Sequence, residues 1–193
     1  MSAAFLQAVA WAAYVSAAAT AITFVTGILF FTVGQPFGTI QDATSALQVL
    51  LMLPLAWMLH CLIAPSAGGW SWLALVVGVA GMLVAGALQT LLVLRRVEYE
   101  QTIGAGLSAG GAIGAWLAVT GGLALVYGLL PAELAWAGVA AGAGYLLLVA
   151  GFALGGQDHP LFWGGSLVAL IGYAVWAVWL GRVVQTGAGG WFL

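Results

Sequence analysis

Asp42, Glu98, Glu100, Asp158 and His159 fall in three polar breaks of an otherwise apolar chain. Carboxylates converging with an imidazole bind a divalent cation or carry general acid–base hydrolysis. The spacing here matches no such signature: there is no HExxH, no paired His-x-His and no Asp-rich run. The plainer reading is solvated loop charge, with the arginines of "RRVEYE" offsetting its glutamates. His60 sits roughly 24 Å along its expected helix, at the opposite end from His159, so the two cannot share a haem or a metal. Beside Cys61 it reads as an interfacial anchor or a hydrogen-bonded core group. The single cysteine excludes an internal disulfide and any cysteine-based metal motif. No catalytic residue, metal ligand or cofactor is assigned.

The longest polar break is "GQPFGTIQDATSALQ", Gly34 to Gln48, and it has two readings. In one, Gly34 and Pro36 stop a helix, and Asp42, Thr44 and Ser45 supply cap oxygens for the next. In the other, the stretch borders a binding site. Gln35, Gln41, Asp42 and Gln48 would then line the mouth of a cavity with Gln89, Gln157 and His159. They would hold the head group of an amphiphile whose tail lies among glycine-rich helices. Ser16, Thr20 and Thr23 form a polar stripe that would extend the lining. Hydroxyls in apolar helices also bond back to their own carbonyls, and glutamines also tie helices together.

The elements that position these groups follow from composition. Of 193 residues, 64% are hydrophobic and 4% charged, and the mean hydropathy is +1.16. A soluble domain carries about a quarter charged residues, so lipid is the solvent for most of this chain. A formal net charge of −2 excludes a nucleic-acid partner, which needs clustered Lys and Arg. The start "MSAAFLQAVAWAAY" lacks a basic n-region, so its apolar run is expected to stay in the mature protein.

Apolar runs of about 20 residues match a hydrocarbon core roughly 30 Å thick. They are expected at Ala3–Val33, Ser45–Ala64, Ser71–Leu94, Gly104–Leu130, Ala132–Leu154 and Pro160–Leu180. Backbone groups in lipid must pair within their own segment, so each run is a helix. The expected fold is all-α: one domain over residues 1–193, an integral membrane bundle of six transmembrane helices with glycine-rich packing and both termini on one side.

Such a path gives two unequal faces. Side A, which holds the N-terminus, receives the turns "APSAGGWS" and "LLPAEL" and the tail. Side B receives Asp42, Arg95, Arg96, Glu98, Glu100, Asp158 and His159. Trp11, Trp57, Trp70, Trp72, Trp136, Trp176, Trp179 and Trp191 lie on or toward A, as an interfacial aromatic belt does. Arg95 and Arg96 on B against Arg182 and the terminal amine on A leave the cytoplasmic face undecided. No Asp, Glu, Lys or Arg falls in the middle of a span, which argues against an ion pump or a transporter coupled through a midplane carboxylate.

Gly106, Gly110 and Gly114, then Gly138 and Gly142, then Gly81 and Ala85 have the four-residue spacing of close helix contacts, within this chain or with another. "GVAGMLVAG" and "GAGYLLLVAG" echo one another after proline-containing turns, as internally repeated transporters do.

Through "FFTVGQPFGTIQDATSALQVLLMLPLAWMLH" and "HPLFWGGSLVALIGYAVWAVWLGR" the chain resembles small bacterial multi-pass membrane proteins carrying a domain of unknown function. That resemblance implies a bacterial plasma membrane and no assigned activity. The expected function is non-enzymatic: a small amphiphile-binding or transport protein, or an accessory subunit of a membrane complex. Its partners would be membrane lipids, a hydrophobic ligand, and proteins docked on the glycine-rich helices. The alternative is a membrane-embedded hydrolase using the side B carboxylates.

Overall fold

The computed structural model of the chain describes residues 1–187. Five helices account for nearly all of them: α1 (Ala3–Val33), α2 (Phe37–Val93), α3 (Tyr99–Val126), α4 (Ala132–Gly155) and α5 (Pro160–Thr186). A 3₁₀ turn, Gly156–Asp158, joins the last two. All five are long and apolar enough to cross a membrane. In lipid a helix is the way a single segment satisfies its own backbone, and the sequence offers no alternating strands. The chain is an all-helical, multi-pass integral membrane protein.

The expected count of six separate helices is corrected to five. The second and third expected spans form one helical element of 57 residues, whose backbone leaves helical geometry at Ala67 (φ −145°, ψ 50°). Apolar windows imply a loop wherever hydropathy dips, but here one residue makes the turn. Pro65 removes a backbone donor just before it, and Gly68 and Gly69 lower the cost of the bend just after. The two legs then run back along each other. A Cβ on Gly86 would lie 3.4 Å from Val49 Cγ2, whereas 37 residues of straight helix would separate them by about 55 Å.

The polar break after α1 is mostly helix, which corrects the capping expectation. α2 begins at Phe37 with Pro36 at its N-cap, so Asp42, Thr44 and Ser45 lie inside the helix. Thr44 Oγ1 donates to the Ile40 carbonyl at 2.9 Å. The reversal itself is made by Gly34 at φ +95°, a conformation that only glycine adopts without strain. Hydropathy marks the part of a helix that lipid surrounds and misses a polar end that continues past it. For the same reason α3 starts at Tyr99 rather than Gly104, where the Glu98 N–H donates to Gln101 Oε1 at 3.1 Å.

The helices close a ring: α1 packs on α2 and α5, α2 on α3, α3 on α4, and α4 on α5. Met52, Leu55, Leu59, Trp116, Leu117, Leu134, Tyr173 and Leu180 are fully buried and fill its interior. The bundle is plugged by side chains at the level of these residues.

Glycine sets the tightest contacts. Gly144 lies against the backbone of Ala169, and Gly151 against that of Phe162. A Cβ on Gly142 would come within 2.5 Å of Ala118 N, and one on Gly81 within 2.8 Å of the Ala109 carbonyl. Of the α3 ladder, Gly114 meets α4, but Gly106 and Gly110 have nothing within 4 Å of a built Cβ. Four residues turn a helix by about 400°, so a four-residue ladder drifts about 40° per step away from its partner.

Six of the eight tryptophans expected in an aromatic belt are at the surface. Trp11, Trp57, Trp70, Trp72, Trp136 and Trp179 are exposed, but Trp176 belongs to the core at 2% exposure. Trp191 lies outside the described residues.

Candidate functional site

Several polar groups within the spans are buried in protein. Ser16 Oγ donates to the Ala13 carbonyl at 3.0 Å and lies 2.9 Å from the Tyr173 hydroxyl. Because the serine proton is used on Ala13, the tyrosine supplies the proton between them. Thr20 bonds back to the Ser16 carbonyl at 2.8 Å, and Thr23 Oγ1 meets Thr44 Oγ1 at 2.8 Å. Gln48 donates to the Tyr145 hydroxyl at 3.4 Å. These bonds tie α1 to α5, α1 to α2, and α2 to α4 across the interior. His60 is also a core group: its Nδ1 lies 2.8 Å from Ser71 Oγ across the bend, and its ring packs against Trp57 and Trp72.

Of the residues expected to line a side B mouth, Gln35, Gln41, Asp42, Gln157 and His159 lie at one end of the bundle, and most are engaged locally. Gln35 Oε1 accepts from Thr39 N–H at 3.4 Å and from Thr39 Oγ1 at 3.2 Å. The Gln41 amide covers Gly27 of α1, where a Cβ would lie 3.4 Å from its Nε2. Asp42 is half-buried in the second turn of α2. Gln157 Nε2 donates to the Tyr99 hydroxyl at 3.3 Å, and His159 Nδ1 caps α5 by accepting from Leu161 N–H at 3.2 Å. Gln89 Oε1 is buried with no partner, and Gln48 lies deeper, on Tyr145. Two groups form, Gln35 with Gln41 and Asp42 at the α1–α2 turn, and Gln157 with His159 at the α4–α5 turn.

The ionisable residues of that end stay dispersed. Among the described residues, no three of His, Cys, Asp and Glu gather as a metal ion would need. Arg95, Arg96 and Glu98 share a polar depression of about 450 Å³ with Leu92, Val97 and Gln101. Arg95 there has φ +53°, which closes the end of α2 in the left-handed region that glycine usually occupies.

The larger concavity is elsewhere. A groove of about 810 Å³ runs between α1 and α5 on the outside of the ring. Tyr14, Ala17, Ala18 and Ala21 form one wall, and Ala174, Val175, Val178, Trp179 and Arg182 the other. The alanines and valines leave the trough, while Tyr14, Trp179 and Arg182 stand toward the end that holds the N-terminus. There the Tyr14 hydroxyl donates to Gln185 Oε1 at 3.0 Å and clasps the two helices. Its volume falls within the roughly 300–1,000 Å³ of small-molecule sites. Reading the chain for polar residues passes over such a feature, because its walls are unremarkable alanines. The available signal was small residues at i and i+4, Ala17 with Ala21, and Ala174 with Val178, below an arginine.

No protein-family model, curated protein or solved structure matches the chain.

Proposed function

We propose that this chain is a non-enzymatic membrane protein that takes a small amphiphile from the surrounding lipid into the α1–α5 groove. The observation that carries the reading is the shape of that groove: an apolar trough open to lipid, with its polar residues at one end only. The fold-back at Ala67 supports six membrane crossings, since about 85 Å of straight helix would far exceed a hydrocarbon core of roughly 30 Å. A bacterial plasma membrane as its location rests on the family resemblance. The side B residues Gln35, Gln41, Asp42, Gln48, Gln89, Gln157 and His159 are a second proposed polar entrance. The shared end of Gln35, Gln41, Asp42, Gln157 and His159 favours it, and their local bonds favour bracing.

A hydrolase built on Asp42, Glu98, Glu100 and Asp158 has less support, since these groups come from α2, the start of α3 and the α4–α5 turn, and do not gather as a metal ion would need. Native mass spectrometry of gently extracted protein tests the reading. One amphiphile retained per chain is expected, and it should be lost when Ala18→Phe and Ala21→Phe together fill the trough. A chain released bare overturns the proposal. So does a measured turnover that falls equally when several of the four carboxylates become alanine.

A further inference from the structure

The two ends of the α1–α5 groove differ in charge. Arg182 is one of only three Lys or Arg residues in the chain, and the other two, Arg95 and Arg96, lie beyond the far end of α2. It is exposed and forms the rim of the trough beside Trp179 and Tyr14. Gln185, one turn away, uses its oxygen to accept from Tyr14 and so keeps its NH₂ as a donor. Glu133, the carboxylate at this end, opens α4 and does not line the groove.

The dimensions fit one leaflet. From Ala174 to Arg182 the α5 wall rises about 12 Å, and from Ala21 to Tyr14 the α1 wall rises about 10 Å. Half a hydrocarbon core is about 15 Å. A chain lying in the trough therefore ends near the middle of α5, and its head group meets Arg182 at the interface. Guanidinium presents a planar fork of donors that matches a phosphate oxygen pair, and it stays charged under all ordinary conditions.

From these observations we propose that the occupant is an anionic phospholipid of the leaflet on the N-terminal side. Its phosphate lies on Arg182 with Gln185 beside it, and one acyl chain lies along Ala17, Ala18, Ala21, Ala174 and Val178. This rests on the reading of the groove as an amphiphile site and adds the charge of the head group.

The test places wild type, Arg182→Gln, Arg182→Lys and the Ala18→Phe/Ala21→Phe double variant in nanodiscs. The lipid is an equal mixture of phosphatidylglycerol and phosphatidylcholine with identical chains, and retained lipid is counted by native mass spectrometry. The wild type should retain the anionic lipid about fivefold over the zwitterionic one, the preference one interfacial cation gives. Arg182→Gln should bring the ratio to about one, Arg182→Lys should keep part of it, and the double variant should lose both lipids. Equal retention by the wild type, or a preference for phosphatidylcholine through Trp179 and Tyr14, overturns the anionic head group and leaves the groove an amphiphile site. Anionic preference unchanged in Arg182→Gln overturns the placement on this arginine. No retained lipid in the wild type overturns both readings.

Discussion

The hydroxyl of Tyr173, midway along α5, meets Ser16 Oγ of α1 at 2.9 Å and joins the last helix to the first. Both residues are fully buried, and the tyrosine ring packs on Trp176. Replacing Tyr173 by Phe keeps the ring and removes the bond. Hydrogen bonds between membrane helices contribute about 0.6 kcal/mol on average and up to about 1.7, so Tyr173→Phe should cost within that range. Tyr173→Ala also opens a cavity and should cost about 3–5 kcal/mol, the range for large aromatic truncations. Reversible unfolding in mixed micelles measures both. A Tyr173→Phe variant as stable as the wild type would remove this bond from the forces that close the ring.

Lipid as solvent and helices as the elements were legible because each follows from composition over about 20 residues, and the exposure of most of the tryptophans expected in the belt agrees with the reading. Ser16 was legible as part of a stripe, but its partner was not. Tyr173 is one apolar-looking aromatic among many, and its distance from Ser16 depends on how α5 docks. The reversal within "APSAGGWS" was legible, but that the single residue Ala67 makes it was hidden, because hydropathy drops at a bend just as it does in a loop. The α1–α5 groove was hidden because an alanine that faces lipid and one that faces protein read alike. Asp42 misled in the opposite direction: its type suits a cap, yet the helix had already begun at Phe37.

The glycines of α3 and α4 separate spacing from contact. Gly144→Ala would push a methyl into the backbone of Ala169, which cannot swing aside as a side chain does. Overpacking of this kind typically costs about 1–3 kcal/mol, and Gly144→Leu should cost more. Gly106→Ala and Gly110→Ala add a methyl where nothing lies within 4 Å and should leave stability unchanged or slightly raised. Unfolding midpoints of the single variants in one detergent make the comparison. Equal losses at Gly106 and Gly144 would mean that Gly106 meets a partner outside this chain.

Ser71 and His60 make a smaller test of the bend. Ser71→Ala leaves His60 Nδ1 buried without its partner at 2.8 Å. An orphaned buried group costs about 1–3 kcal/mol, and the loss should be local. Hydrogen exchange should therefore rise around residues 60–71 before it rises in α4. Uniform loosening of all helices, or no change at all, would contradict a pin between the two legs.

The last prediction concerns the path of α2 as a whole. If its legs run side by side, positions 49 and 86 are neighbours although 37 residues separate them, since a Cβ on Gly86 would lie 3.4 Å from Val49 Cγ2. Cysteines at both positions, in a background where Cys61→Ser removes the native thiol, should form a disulfide readily under mild oxidation. Val49 Cγ2 is one bond from its Cβ, so the two Cβ atoms lie within about 5 Å of each other, near the roughly 3.5–4.5 Å that a disulfide spans. Cysteines at 49 and 76 serve as the control, because Val76 is 59% exposed on the outer side of the second leg. Under the proposed six crossings the two ends share a side, so single cysteines introduced at Ser2 and Thr186 should react with an impermeant reagent from the same side. Failure of the 49–86 pair to cross-link, together with labelling of the two ends from opposite sides, would show α2 crossing once and would dismantle the ring.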